Sequence, residues 1–232
     1  MTAATDRCPE CQKPRAICVC DRITPLATEH RVLVLQHPQE GDTDLGTVPL
    51  LARALPKCKV RVGLSWASLA QALEEPEAEN ARWAVIYPTK IAEDLPPEVL
   101  SQPVLLLDKK GRLRDEDAQG ERASARRGLE GIVVLDGTWS QAKTLWWRNP
   151  WLLKLGRVVL NPREPSIYGR IRKEPRREYV STLEAVADVL VALGEPEQVR
   201  TDLRRAMRTM VQRARDAGVR PAPSPRRRTR PD

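Results

Sequence analysis

The sequence predicts an α/β fold, a mainly parallel sheet with flanking helices, preceded by a small N-terminal zinc knuckle. Two observations carry this. From Pro25 onward, short apolar runs alternate with stretches whose apolar residues recur at helical spacing, the pattern of successive strand–helix units. Ahead of that pattern, four of the five cysteines crowd the first twenty residues. The chain of 232 residues suffices for one large domain with an appendage. It divides into a knuckle at 1–24, an α/β domain at 25–218 and a tail at 219–232 that is Pro- and Arg-rich and cannot bury a core.

Cys8, Cys11, Cys18 and Cys20 follow the spacing C-x2-C-x6-C-x-C. Zinc takes four soft ligands in a tetrahedron, the first pair has knuckle spacing, and the loop to Cys18 and Cys20 is short enough to close the site. Pro9 and Pro14 stiffen that loop. Disulfides fit poorly because nothing at this N-terminus reads as secretory, and a redox pair belongs at the start of a helix beside a strand. Four thiolates leave no open position, so the metal is expected to fold the segment rather than catalyse. Cys58 reads as a small core residue.

Residues 31–36 (RVLVLQ) read as a buried strand, 45–55 as a helix and 59–64 as a strand. Residues 82–87 (RWAVIY) form a strand stopped by Pro88, and 104–108 (VLLLD) another. The clearest strand is 131–136 (GIVVLD), followed at once by a helix from Trp139. A last strand covers 157–161, and helices at 181–193 and 197–215 complete the domain. The charged stretch 108–131 reads as a solvated loop.

Charge points outward. Lys and Arg number 39 against 31 Asp and Glu, and the net charge of +8 favours a polyanionic partner, most commonly nucleic acid. No run approaches the ~18 apolar residues of a membrane span, and the N-terminus has no apolar signal region, so a cytoplasmic location with no membrane contact is expected. His30 and His37 are the only histidines, which excludes a His-rich metal site. No G-x-G occurs, nor a P-loop, nor a G-x-S-x-G elbow, so the common dinucleotide, nucleoside triphosphate and hydrolase motifs are absent.

Ligands of open α/β sheets sit beyond the carboxyl ends of the strands. Those ends carry His37-Pro38, Tyr87-Pro88-Thr89, Asp108, Asp136-Gly137-Thr138 and Asn161-Pro162-Arg163, a rim of imidazole, phenol, two carboxylates and a guanidinium. Asp136 ends the clearest strand and either caps the next helix or does chemistry. Thr138 and Gln141 match a capping box, and Gly137 suits a close backbone approach. The helix after them is expected to hold Trp139, Trp146, Trp147 and Trp151. Most of these rings should be core, while Lys143, Trp147 and Arg148 can form a stacking and phosphate-binding surface. A second dense segment crowds Arg170, Arg172, Lys173, Arg176 and Arg177 beside Tyr168 and Tyr179, either an RNA-backbone contact or a solvated basic loop. Ser181 and Glu184 form another capping box, opening a helix whose N-terminal amides suit a carboxylate.

Taken together, these blocks resemble the DTW-domain family. The match lies in the four-cysteine knuckle, His37-Pro38, Tyr87-Pro88, the name-giving Asp136-Gly137-Thr138-Trp139 followed by Ser140-Gln141-Ala142-Lys143, the stretch through Ser166, Tyr168, Arg172 and Pro175, and Ser181-Thr182-Leu183-Glu184-Ala185. It covers about residues 6–195. The resemblance implies a SPOUT-like fold with a knotted C-terminal part. It also implies transfer of the 3-amino-3-carboxypropyl group of S-adenosylmethionine to N3 of a tRNA uridine, releasing methylthioadenosine. On that reading Asp136, with His37 second, takes the N3 proton. Tyr87, Pro88, Leu135, Gly137, Thr138, Ser181 and Thr182 bind S-adenosylmethionine, whose carboxylate is expected at the helix N-terminus of Ser181-Thr182. Trp139, Lys143, Trp147, Arg148 and the 170–177 basic residues meet the tRNA. A methyltransferase of the same fold, or a zinc-containing RNA-binding module without activity, is the rival.

Overall fold

The structure is a computed structural model, and it describes residues 6–40, 43–87, 98, 101–113, 128–162, 164–169, 171 and 180–219. Six strands form one sheet: β1 (Arg31–Gln36), β2 (Cys58–Val62), β3 (Trp83–Ile86), β4 (Val104–Leu107), β5 (Gly131–Asp136) and β6 (Gly156–Leu160). Their order is β2-β1-β5-β3-β6-β4, and every pair is parallel except β4 with β6. Among the described residues, the helices that flank it include α1 (Val48–Ala54), α2 (Leu69–Leu73), α3 (Trp139–Arg148), α4 (Thr182–Ala192) and α5 (Glu197–Asp216).

Both faces of the sheet are covered, which is why its central strands are apolar throughout rather than alternating. On one face Val32, Val34, Ile132 and Val134 pack with α1, α4 and α5. On the other, Leu33, Leu35, Val133 and Leu135 pack with α2, α3 and Trp151. Ile17 and Val19, from the cysteine segment, belong to the first of these cores. His30 at the foot of β1 is buried, and both its backbone N–H and its Nδ1 lie 2.8 Å from Glu195 Oε1, which fastens β1 to the α4–α5 turn.

The mainly parallel α/β sheet is as expected from sequence, with three corrections. First, β4 runs against its neighbour, with Leu107 opposite Arg157 at the start of β6. Asp108 therefore sits at the amino ends of the parallel strands and does not join the rim. Its carboxylate accepts the backbone N–H groups of Lys110 and Arg112 at 2.8 and 2.9 Å, an Asx-type turn. Second, α3 stops at Arg148, before Pro150, and Trp151 lies in a separate 3-10 turn, Pro150–Lys154. Asn149, fully buried, holds the junction: its side-chain NH2 donates to Leu145 O and Leu64 O, and its Oδ1 accepts from Trp66 N–H. Third, α1 begins only at Val48, because Asp44, Leu45 and Gly46 are held in a turn by other parts of the chain. The short helix α2, capped by Ser68, was not foreseen. The SPOUT-like knot expected on resemblance is not shown by the described residues, and 172–179 lie outside them. Among the described residues, no helix is long and apolar enough to cross a membrane.

Candidate active site

Parallel pairing of β1 with β5 sets Gln36 opposite Asp136 at the carboxyl end of the sheet. The parallel ladder runs one bond further, and His37 N–H donates to Asp136 O at 2.9 Å. Strand alternation sends Leu135 into the core on the α3 side and Asp136 toward α4. Asp136 is only 9% exposed, and its carboxylate is gripped from two elements. Gln36 Nε2 donates to Oδ2 at 2.8 Å, and the Thr182 hydroxyl donates to Oδ1 at 2.5 Å. Both donors are neutral. A carboxylate has about four acceptor positions, so roughly two stay available to a substrate N–H.

Gly137 makes the turn from β5 to α3. A Cβ there would lie 2.8 Å from Gln141 Cβ and 3.4 Å from His37 Cβ, so a side chain at this position would force the rim apart. Thr138 caps α3, its N–H donating to Gln141 Oε1 at 2.5 Å. His37 is half-buried and its Nδ1 accepts from Gln39 N–H at 3.3 Å, so the neutral ring carries its proton on Nε2. No side-chain bond joins it to the Asp136 carboxylate among the described residues.

The helix α3 lays an aromatic ladder beside the rim. Tyr87, one residue past β3, stacks on Trp146 with centroids 4.1 Å apart and an interplanar angle of 11°. Trp139, two turns back on the same helix face, is nearly parallel to Tyr87 at 6.1 Å. Burial raises the Tyr87 phenol above its ordinary pKa, so it stays protonated. The expectation that most of these tryptophans are core is corrected here. Trp151 is buried, but Trp139 is 42% and Trp147 75% exposed, and Lys143 and Arg148 are exposed beside them.

At the start of α4 the expected capping box is present. Ser181 Oγ accepts from Glu184 N–H at 3.2 Å, and Ser181 N–H donates to Glu184 Oε2 at 3.0 Å. Glu184 is buried and also accepts from the Ser166 hydroxyl and Ile167 N–H, both at 2.8 Å. Leu183 N–H donates to Thr47 Oγ1 at 3.3 Å. Two first-turn amides are thus bonded within the protein, and Ser181 spends its hydroxyl on the cap.

The four cysteines converge. Their sulfurs all lie within 4.8 Å of one another, with Cys8 to Cys20 at 3.9 Å and Cys11 to Cys18 at 3.7 Å. Tetrahedral thiolate ligation at ~2.3 Å gives sulfur–sulfur edges of ~3.8 Å, so the donor set fits a metal ion, and no pair approaches the ~2.05 Å of a disulfide. Backbone N–H groups, Cys11's foremost, hold the Cys8 thiol down at about 7, while burial pushes the Cys18 and Cys20 thiols above their ordinary value. Cys58 is separate from the cluster, and burial pushes its thiol up to about 12.

The structure thus brings Asp136, His37, Gly137, Thr138, Thr182 and Tyr87 to one end of the sheet and places Trp139, Lys143, Trp147 and Arg148 along the adjoining helix. Pro88, Arg170, Arg172, Lys173, Arg176 and Arg177 lie outside the described residues. Sequence reasoning missed Gln36, a polar residue closing an apolar strand, because its pairing with Asp136 depends on a strand register that only the fold sets. It also missed Trp146, taken for core packing.

Comparison with known proteins gives the same direction. The chain is 28% identical over 207 residues to tRNA-uridine aminocarboxypropyltransferase 2 of Macaca fascicularis, covering 88% of this chain and 61% of that protein. The namesake from Mus musculus is 27% identical with the same coverage, and that of Drosophila melanogaster is 27% identical over 92% of this chain and 77% of its own. The chain therefore spans about three fifths of the length of the first two relatives. No solved structure matches it. The DTW domain profile matches residues 5–215, nearly the whole chain, and includes both the cysteine cluster and the Asp136 rim, so the chain belongs to the DTW-domain family.

Proposed function

We propose that this chain transfers the 3-amino-3-carboxypropyl group of S-adenosylmethionine to N3 of a tRNA uridine, releasing methylthioadenosine. The observation that carries the reading is the buried Asp136 carboxylate, clamped by Gln36 and Thr182 at the carboxyl end of a parallel sheet, beside exposed tryptophans on a basic helix. The relatives named above are called tRNA-uridine aminocarboxypropyltransferases, which supports the same substrate class.

When bound, the sulfonium supplies the leaving group, since each of its three S–C carbons is already activated. The protein's task is orientation and proton removal. Uridine N3 is a weak nucleophile until its proton leaves, and Asp136 accepts that proton. The N3–C bond forms as the C–S bond breaks, with the bonding pair going to sulfur. Gln36 and Thr182 fix the carboxylate so that little rearrangement is needed at that moment. His37, with its protonated Nε2, is a hydrogen-bond donor at the rim rather than the first base. Tyr87, Gly137 and Thr138, with the Leu135 backbone, Ser181 and Thr182 around them, bound the cleft for S-adenosylmethionine, and Pro88 is assigned to it by sequence alone. Trp139 extends the ladder outward as a platform for the extruded uracil ring, because single-stranded bases are held on aromatic faces. Trp147, Lys143 and Arg148, together with Arg170, Arg172, Lys173, Arg176 and Arg177, meet the tRNA backbone. The cysteine cluster holds zinc in a structural role, and the SPOUT-like knot belongs to the same reading.

The test is to incubate the protein with tRNA and S-adenosylmethionine and identify both the nucleoside and the sulfur by-product. Aminocarboxypropyluridine with methylthioadenosine is expected. Adenosylhomocysteine with a methylated base would make the protein a methyltransferase, and unaltered tRNA bound in a salt-sensitive complex would leave an RNA-binding module.

A further inference from the structure

One buried lysine ties the cysteine cluster to the rim. Lys13 lies between Cys11 and Cys18 and is 2% exposed, an unusual place for an ammonium. The knuckle hairpin delivers it there: Cys8 N–H donates to Lys13 O and Gln12 N–H to Cys8 O, both at 2.8 Å, with Gln12 in the left-handed region at φ 58°. Lys13 Nζ then crosses to another part of the chain and donates to Asp44 O at 2.7 Å and Gly46 O at 2.5 Å.

The turn it grasps is a junction. The Tyr168 hydroxyl donates to Leu45 O at 2.5 Å, and Thr47, the N-cap of α1, accepts Leu183 N–H from the first turn of α4. Thr182, the residue before Leu183, holds Asp136 Oδ1. A continuous series of bonds therefore runs from the cysteine hairpin through Lys13 to residues 44–47, on to α4, and ends on the candidate base. Two short charge-assisted bonds from one buried ammonium brace this turn from outside its own backbone.

We propose that Lys13 is a positioning residue through which the metal-loaded cysteine cluster holds the 44–47 turn and, by way of α4, the Asp136 carboxylate. The link to Asp136 rests on the function proposed above; the hold on the turn does not. The ion folds the knuckle, the folded knuckle aims Lys13, and Lys13 keeps the rim in register.

The experiment pairs Lys13→Met, which keeps the stem and removes the three donors, with amide hydrogen exchange and metal analysis on the full chain. The variant is expected to retain its metal and its melting transition but to lose exchange protection at 44–51 and 181–184, while β5 is unaffected. Its kcat on tRNA should fall about 10- to 100-fold, as for a misplaced catalytic group, with KM unchanged. Treating the unsubstituted protein with a chelator gives a second route that needs no variant: protection should be lost at 44–51 together with 8–20 and return on adding zinc. Unchanged protection at 44–51 in either arm overturns the proposal. So does loss spread evenly through β1 and β5, which would make the knuckle a part of the folding core rather than a strut. Lost protection without any aminocarboxypropyl transfer by the unsubstituted protein would refute the proposed function and leave the strut standing.

Discussion

The cysteine cluster and the Asp136 rim are built in opposite ways. The cluster takes all its donors from thirteen consecutive residues, 8–20, and a hairpin closes it. The rim takes Gln36 from β1, Tyr87 from the end of β3, Asp136 from β5 and Thr182 from α4, residues up to 146 apart that meet only when the sheet is complete. A local site can form before the fold and then constrain it. A distributed site exists only as a product of the fold, so its chemistry is sensitive to small errors in packing anywhere around it.

The largest effect should fall on the local site. Replacing Cys8 and Cys20 together by Ser removes two of four thiolates, and the structural metal proposed for this cluster would not be held by the remaining pair. Elemental analysis is expected to drop from one metal per chain to none, with residues 6–20 opened to limited proteolysis. A variant that folds normally, with that segment resistant, would erase the distinction between the two regions.

On the distributed side, Gln36→Leu deprives a buried carboxylate of one donor. Stability should fall by about 1.5–3 kcal/mol, the range for a hydrogen bond to a charged group, with metal content untouched. Denaturant melts read this, and an unchanged midpoint would mean that Asp136 is better hydrated than its burial implies.

Trp147→Ala should weaken tRNA binding by ~1–3 kcal/mol if the ring stacks on a base, at no cost in melting temperature because the ring is largely exposed. A stability loss with unchanged tRNA affinity would make it a packing residue. Charge removal at Arg170, Arg172 and Lys173 should flatten the salt dependence of tRNA affinity by roughly 0.7–0.9 in log–log slope per lost contact. The smallest effect should come from Ser181→Ala, which removes a cap and costs about 0.5–2 kcal/mol of stability. Its rate at saturating S-adenosylmethionine should hold, since Thr182 and not Ser181 touches Asp136, and any loss of cofactor contact should appear in KM alone.

What the sequence reveals follows the same division. The cysteine spacing is readable because metal geometry constrains neighbours in the chain. Asp136 is readable because an uninterrupted apolar run ends on it and a capping box follows. The two boxes at Thr138 and Ser181 form where their residue types place them. Direction and register are not written in an apolar run. VLLLD reads the same whether β4 lies parallel or antiparallel, so Asp108 is assigned from sequence to the wrong end of the sheet. Gln36 is invisible as a partner of Asp136 for the same reason. Lys13 is invisible because a lysine is ordinarily solvated, and only the turn at 44–46 supplies the carbonyls that let it be buried. The aromatic residues mislead in the other direction: in a chain without Phe, tryptophans look reserved for the core, yet Trp139 and Trp147 face outward.

The most direct test of the rim is the single-turnover rate of Asp136→Asn, measured with saturating tRNA and S-adenosylmethionine alongside metal content and melting temperature. Asparagine keeps the shape of the side chain and removes its charge and basicity. The rate should fall by about 10²–10⁴-fold, the usual weight of general acid–base catalysis, with metal content and tRNA affinity retained. A folded, metal-loaded Asn variant that turns over at nearly the normal rate would show that the carboxylate between Gln36 and Thr182 is a structural clamp and not the base.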